Sequence, residues 1–251
     1  MKFKPLALVV SLGLMTAQPA VADTVFGVYA GAQGWQTDVS GRYGSQQDTM
    51  QAFNFDSEQQ TSFYVALEHP IPLVPNFKVR QNDLATVGLI TLGSDFVFNG
   101  EFYASGTSLQ SAVDLSHTDY TLYYELFDND LISFDLGLTA KDVDAFVAVT
   151  DAVGRNELRG SGYVPTAYGQ LRVGIPATDW TFYALANAVS IDDSEIRDFE
   201  LGAEYRLIEN ALVDFNLQLG YRSIVIELDD IDSISSDLDF SGPYLGLEFH
   251  F

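Results

Sequence analysis

The sequence predicts an all-β fold, a closed antiparallel transmembrane β-barrel of about ten strands, and three observations carry that expectation. Hydrophobicity alternates with a period of two along most of the chain, connections alternate between short and long, and the chain stops inside a strand ending on an aromatic residue. A period of two puts successive side chains on opposite faces, so each such segment has one apolar and one polar side.

Taken in order, the chain opens with a secretory signal over residues 1–22. Lys2 and Lys4 form a positive n-region, Leu6 to Met15 an apolar h-region, and Ala20-Val21-Ala22 a small-x-small site with cleavage before Asp23. The apolar stretch is too short for a spanning helix, and nothing after it approaches the ~20 consecutive apolar residues such a helix needs. Residues 23–251 then form a single barrel domain. Cysteine is absent, which excludes a disulfide framework, a thiolate metal site and a lipobox anchor. A net charge of −23 excludes binding to a nucleic-acid backbone, which needs Lys and Arg to displace counterions.

About ten alternating segments follow, beginning near Val25, Thr61, Asn76, Ala112, Leu131, Gly162, Trp180, Arg197, Ala211 and Leu238. In one of them Val213, Phe215, Leu217, Leu219 and Tyr221 share a face, against Asp214, Asn216, Gln218, Gly220 and Arg222. Short connections, rich in turn residues, lie at Pro70 to Pro75, Asp128 to Asp130, Pro176 to Asp179 and Glu209-Asn210. Longer ones follow the odd-numbered strands, the longest at Ser40 to Gln60. In bacterial outer-membrane barrels an even strand number leaves both termini in the periplasm, with short turns there and long loops outside. The expected location is therefore the bacterial cell outer membrane, with the apolar face toward lipid and the polar face toward the lumen. Aromatics gather near strand ends: Phe77, Trp180, Phe182, Phe249 and Phe251 on the periplasmic side, Trp35, Tyr163 and Tyr221 on the outer side.

The final strand, Tyr244 to Phe251, resembles the C-terminal assembly signal of outer-membrane proteins, with Gly246, Phe249 and the terminal Phe251 in the pattern's positions. Tyr244 departs from it, standing where a polar residue is commoner. The resemblance implies that the barrel-assembly machinery reads this strand. The whole mature chain resembles a family of uncharacterised outer-membrane β-barrel proteins. Gly27-Val28-Tyr29-Ala30-Gly31 with Trp35, Leu67 to Pro72 with Val74-Pro75-Asn76, and Gly246 to Phe251 carry that likeness. It implies fold and compartment and brings over no functional residue.

Three groups of residues are candidate sites. On the lumen face, Glu125, Asp135, Arg172, Glu200, Glu204, Arg206, Asp214 and Arg222 are expected to form a cross-lumen charge network. Ten strands lie near the end of the size range where side chains fill the interior. In the outer loops, Asp192, Asp193, Glu195, Asp229, Asp230 and Asp232 offer oxygen ligands suited to Ca²⁺ or Mg²⁺, which loops beside lipopolysaccharide share with it. Solvated charge that keeps exposed loops soluble is the plainer reading of the same residues. At the rim, pairing strands four and five around Asp128-Asn129-Asp130 sets Lys141 opposite His117 and Thr139 opposite Asp119. Ten-stranded outer-membrane proteases use acidic pairs with Asp and His at this height, but here the Asp/His order is reversed and Asp142 and Asp144 point away from the lumen.

No other enzyme motif is present and no cofactor is expected. The expected function is thus non-enzymatic: a structural or surface-interaction protein with a plugged polar lumen, whose outer loops, above all Ser40 to Gln60 and Gly93 to Ser111, meet the environment. The alternative is a narrow, cation-preferring channel for small solutes. A second alternative is a rim hydrolase around His117. Expected partners are outer-membrane lipid and lipopolysaccharide.

Overall fold

The computed structural model describes residues 26–45, 47–129, 131–210, 213–231 and 234–251. The signal segment 1–22, the strand starts expected at Val25 and Ala211, and Asp130 and Asp232 lie outside the described residues.

Ten strands form one closed antiparallel barrel: β1 (Gly27–Gly44), β2 (Glu58–Glu68), β3 (Asn76–Asn82), β4 (His117–Asp128), β5 (Ile132–Thr150), β6 (Arg155–Gly174), β7 (Trp180–Ile191), β8 (Ser194–Glu209), β9 (Asp214–Ile231) and β10 (Ile234–His250). Each strand pairs with the next in sequence. β10 closes the ring on β1, Tyr29 opposite His250 and Trp35 opposite Tyr244. At this seam Phe251 donates its N–H to the Val28 carbonyl at 2.9 Å and accepts from the Val28 N–H at 3.1 Å, so the last residue of the chain completes the pairing. Closure leaves no row of unpaired backbone groups around the ring, which a sheet facing a medium without hydrogen-bonding capacity requires.

The expected faces are the ones observed over the half of the barrel nearer the short turns. Phe63, Val65 and Leu67 on β2, Leu122 and Tyr124 on β4, Leu219 and Tyr221 on β9, and Leu245 and Phe249 on β10 all point outward and are exposed. Gln33, Ser62, Arg80, Asp119, Glu200, Arg222 and Glu248 point inward and are buried. Phe215 stacks on Phe249 with centroids 4.7 Å apart, and Trp180 packs against Tyr205 at 4.9 Å, near the short-turn ends. Trp35 is a correction. It shares its parity with Gln33 and Thr37, so it faces inward at 4% exposure and donates from its indole to the Gly242 carbonyl at 3.0 Å instead of joining an outer girdle. Inside, Gly202 and Gly220 leave room for the Tyr183 and Tyr244 rings, whose hydroxyls meet at 2.5 Å; a Cβ at either glycine would overlap Tyr244.

At the long-loop end, parts expected as loop carry strands of their own. Ala85–Thr91 pairs with Ser108–Asp114, which in turn pairs with the top of β5, Phe146 to Thr150. These two segments continue the lines of β3 and β4 across a break at Asp83–Leu84 and Leu115–Ser116. The break is bridged by the Leu115 N–H to the Leu84 carbonyl at 2.7 Å and the Leu84 N–H to Ser116 Oγ at 3.1 Å. The strand expected to start at Ala112 is therefore two pieces, and the barrel piece starts at His117. Between them, Phe96–Phe98 and Glu101–Tyr103 form a hairpin about Asn99-Gly100, both with positive φ (46° and 77°), as a tight two-residue turn requires.

The expected β4–β5 register is also corrected. A bulge between Glu125 and Phe127 and a longer turn displace it by two residues, so Lys141 lies opposite Asp119, and Val143 opposite His117.

Candidate functional site

The barrel interior has three levels. From the short-turn end a cavity of about 1270 Å³ rises into the lumen, lined by inward side chains including Glu68, Glu125, Asp135, Tyr123, Tyr168 and Asn216. It ends at a layer of ion pairs at mid-height. Above that layer the interior is apolar: Tyr43, Val147, Val149, Ile224, Leu238 and Phe240 from the strands pack with Phe53, Leu84, Phe96, Phe98, Tyr103 and Leu109 from the long connections.

The ion-pair layer crosses the lumen. Arg222 of β9 donates from Nε and Nη2 to the two carboxylate oxygens of Asp198 at 2.9 and 2.8 Å, and lies 3.4 Å from Glu200. Arg80 of β3 reaches the other side of Glu200. Lys141 of β5 contacts Asp119 at 3.0 Å and Asp198 at 3.5 Å, and Asn82 links Asp119 at 3.2 Å to Arg222 at 3.0 Å. Below, Arg172 pairs with Glu204 at 2.8 Å and Glu248 at 3.7 Å, and Gln218 ties Glu204 to Gln33 and to the Tyr64 hydroxyl at 3.2, 3.2 and 3.1 Å. Taking charges out of water is costly unless each finds partners in good geometry, and the bidentate Arg222–Asp198 fork is the strongest form of such pairing. The guanidinium of Arg222 also lies 5.1 Å from the Trp35 ring centroid, on the border with the apolar level.

Of the eight residues expected to form a network, Arg172, Glu200, Glu204 and Arg222 meet in it. The other four lie elsewhere. Glu125 and Asp135 face each other across β4–β5 in the cavity. Arg206 pairs at the lower rim with Asp179 (3.6 Å) and Glu209 (3.4 Å), and Asp214 lies 3.9 Å from His250. The remaining members, Arg80, Lys141, Asp119, Asp198, Asn82, Glu248, Gln33, Gln218 and Tyr64, were not in the expected set. Strand parity is the signal that finds them, since each shares the polar parity of its own strand. Two cavity-lining groups that are more than nine-tenths buried keep an atom without a partner, Arg80 Nε and Asn216 Oδ1.

His117 is 8% exposed beneath the apolar level. Its Nδ1 lies 2.9 Å from the Leu115 carbonyl, to which it donates, and its Nε2 accepts from Lys141 at 3.4 Å, so both ring nitrogens are engaged. Asp142 and Asp144 take the outward parity.

The long connections are not simply exposed. Tyr43 hydrogen-bonds Ser111 at 2.7 Å and stacks on Phe53 at 4.8 Å, and Phe96 and Phe98 are at most 1% exposed. Among the loop acids, Asp192 takes a positive φ of 52° in the β7–β8 turn, Glu195 pairs with Arg197 at 3.0 Å, and the Asp229 N–H donates to Ser194 Oγ at 3.0 Å. Asp193 is exposed. The backbone of Asp230 lies in β9, and its side chain, like Asp232, is outside the described residues. Among the described residues no group of three or more His, Asp or Glu is placed to hold a metal ion. Gly246 faces inward against Gln33, and Phe249 and Phe251 stack with centroids 6.4 Å apart beside the seam.

No family model and no curated protein matches the sequence. Among solved structures, the chain is similar to the transport unit of the autotransporter AIDA-I from Escherichia coli, at 7% identity and TM-score 0.41, covering 96% of this chain and 93% of that one. It is also similar to Neisserial surface protein A, at 12% identity and TM-score 0.28, covering 89% and 95%. A third likeness is to a deltaS2S3 mutant of the monoaromatic hydrocarbon channel TodX, at 8% identity and TM-score 0.36, covering 91% of each chain.

Proposed function

We propose that this chain is an integral protein of the bacterial outer membrane, a barrel anchor closed on its outer side, with a non-enzymatic structural or surface-interaction role. The membrane assignment rests on the outward belt. Phe215, Leu217, Leu219 and Tyr221 on β9 are typical of it, and such a run, roughly 20 Å along the strand, covers about 15 Å across the membrane at a tilt of about 40°, the greater part of the ~25 Å band of outer-membrane barrels. The short turns then face the periplasm, where the C-terminal strand meets the assembly machinery, and the long connections face lipopolysaccharide.

The observation that carries the closed-anchor reading is the pair of stacked levels inside, a neutralised ion-pair layer capped by an apolar one. Either alone obstructs water; together they leave no polar route through. Single-channel recording of the refolded mature chain in planar bilayers tests this, and a silent barrel is expected. Steady cation-selective steps would overturn it in favour of a narrow channel. That second reading is favoured by one feature, the acid-rich cavity that already occupies the periplasmic half. The hydrolase reading lacks a free base, since both nitrogens of His117 are engaged.

A further inference from the structure

We propose that the periplasmic cavity binds a small organic cation bearing several amines, anchored by Glu68, Glu125 and Asp135 and walled by Tyr123 and Tyr168. Nine carboxylate side chains line this cavity against four from Lys and Arg. All four are already engaged, three of them by carboxylates among the nine: Arg80 with Glu200, Arg172 with Glu204, Arg206 with Asp179, and Lys78 over the Tyr64 ring at 4.7 Å, which leaves Glu68, Glu125 and Asp135 without a cation. Glu125 and Asp135 nevertheless sit directly opposite each other on paired strands, an arrangement that destabilises a sheet unless a shared proton or a cation relieves it. Glu68 is held beside them by the Tyr123 hydroxyl, which donates to it at 2.8 Å.

A second observation points to a ligand. Asn216 is 7% exposed, belongs to the cavity wall, and leaves its Oδ1 acceptor without a donor. A buried acceptor without a hydrogen bond is costly, and an ammonium N–H supplies what it lacks. The other unpartnered cavity atoms, Arg80 Nε and Arg206 Nε, are donors, and a cavity of about 1270 Å³ has room for water to meet them beside a ligand.

An organic cation fits better than a metal ion. The described residues place no three ligating groups around one point, whereas amines separated by methylenes reach carboxylates that stand apart. The Tyr123 and Tyr168 rings, tilted at 50° with centroids 5.7 Å apart, offer faces to the methylene stem and to its charge. This inference rests on the closed-anchor reading only in that a cavity with a single mouth retains its ligand.

The test is calorimetric titration of the refolded mature chain in detergent micelles with spermidine. Saturable binding is expected, weakened at least tenfold in the Glu125→Gln/Asp135→Asn pair and unchanged in the outer-loop variant Asp229→Asn. Heat-modifiable gel mobility reports folding of each variant. Asn216→Ala, which alters no charge, is expected to weaken binding several-fold with the barrel intact. Absence of saturable binding to the parent chain overturns the proposal, as does equal binding by the double variant. Bilayer recording and the titration together separate the two readings: a conducting barrel that spermidine blocks removes the closed anchor and keeps this site, while a silent barrel whose titration shows no spermidine binding removes the site alone.

Discussion

The lower and upper halves of the interior are built from the same strands and have opposite chemistry. On β9 the lower residues point Phe215, Leu217 and Leu219 outward and Asn216 and Gln218 inward, whereas farther up the inward positions become Ile224 and Ile226 and the outward ones Ser223, Val225 and Glu227, two of the three polar. β10 changes in the same way, from Glu248 inward to Phe240 and Leu238 inward with Asp239 and Asp237 outward. β5 passes from Asp135, Thr139 and Lys141 to Val147 and Val149. The change occurs at the level of Arg222 and Lys141. An outward side chain must be apolar only where it faces hydrocarbon. In the outer-membrane reading, the outer surface above that zone meets water, and the inside there is an ordinary hydrophobic core. The strands are inside-out below and conventional above, and the ion-pair layer is the boundary between the two regimes.

Removing the boundary is the most damaging way to break the contrast. Arg222→Ala leaves Asp198 and Glu200 buried with a cation lost, and about 3–5 kcal/mol of stability is expected to go with it, read as a fall in the urea midpoint. Adding Asp198→Asn is expected to restore part of the loss, because the stranded charge is then gone. In the upper half, Phe240→Ala is expected to cost about 3 kcal/mol by opening a cavity in the apolar level. The same variant sharpens the functional side: with the ion-pair layer intact below, the barrel is expected to stay silent in planar bilayers, and conductance would show that closure rests on the apolar level alone.

Gly220→Ala sets a methyl group against the Tyr244 hydroxyl and the Leu201 carbonyl. Overpacking of this kind is expected to cost about 1–3 kcal/mol, seen in the same unfolding assay. By contrast Arg197→Ala, which removes half-exposed pairs with Glu195 and Glu227, is expected to change stability by under ~1 kcal/mol.

The smallest effect lies in the outer turn at Asp151. Its carboxylate accepts from the Val153 and Gly154 N–H groups at 2.8 Å each, and those bonds hold its pKa below the ordinary carboxylate value. A depressed folded pKa means that the turn's stabilisation is present above the unfolded value and is lost as pH falls through the folded one. Protection of the Gly154 amide, its exchange rate measured against the intrinsic rate at the same pH, is expected to fall on acidification and to lose that pH dependence in Asp151→Asn.

Much of the barrel was legible in the chain. Eight of the expected strand starts fall among the described residues, and those at Asn76 and Trp180 coincide with the observed ones. The start expected at Gly162 lies well inside β6, which continues above the neighbouring β7. Pro165, which has no N–H to donate, sits just beyond the last β6–β7 pair. The hairpin around Asn99-Gly100 lay inside the expected loop Gly93 to Ser111 and went unread, although Asn-Gly between alternating aromatics is a strong turn signal. Half of the expected charge network was misplaced because parity tells which way a side chain points but not at what height.

What the sequence by itself determined is the all-β barrel, its number of strands and the face each strand turns outward, because alternation is a property of one strand and its nearest neighbours. Tertiary structure alone decided which inward residues meet. Arg80 and Glu200 stand 120 positions apart, and Arg222 and Asn82 140 apart, and they face each other only once every register around the ring is set. A single bulge, as at Glu125 and Phe127, shifts those registers. The height of the boundary likewise follows from how the long connections fold into the mouth and, in the outer-membrane reading, from where hydrocarbon ends, which no one strand encodes.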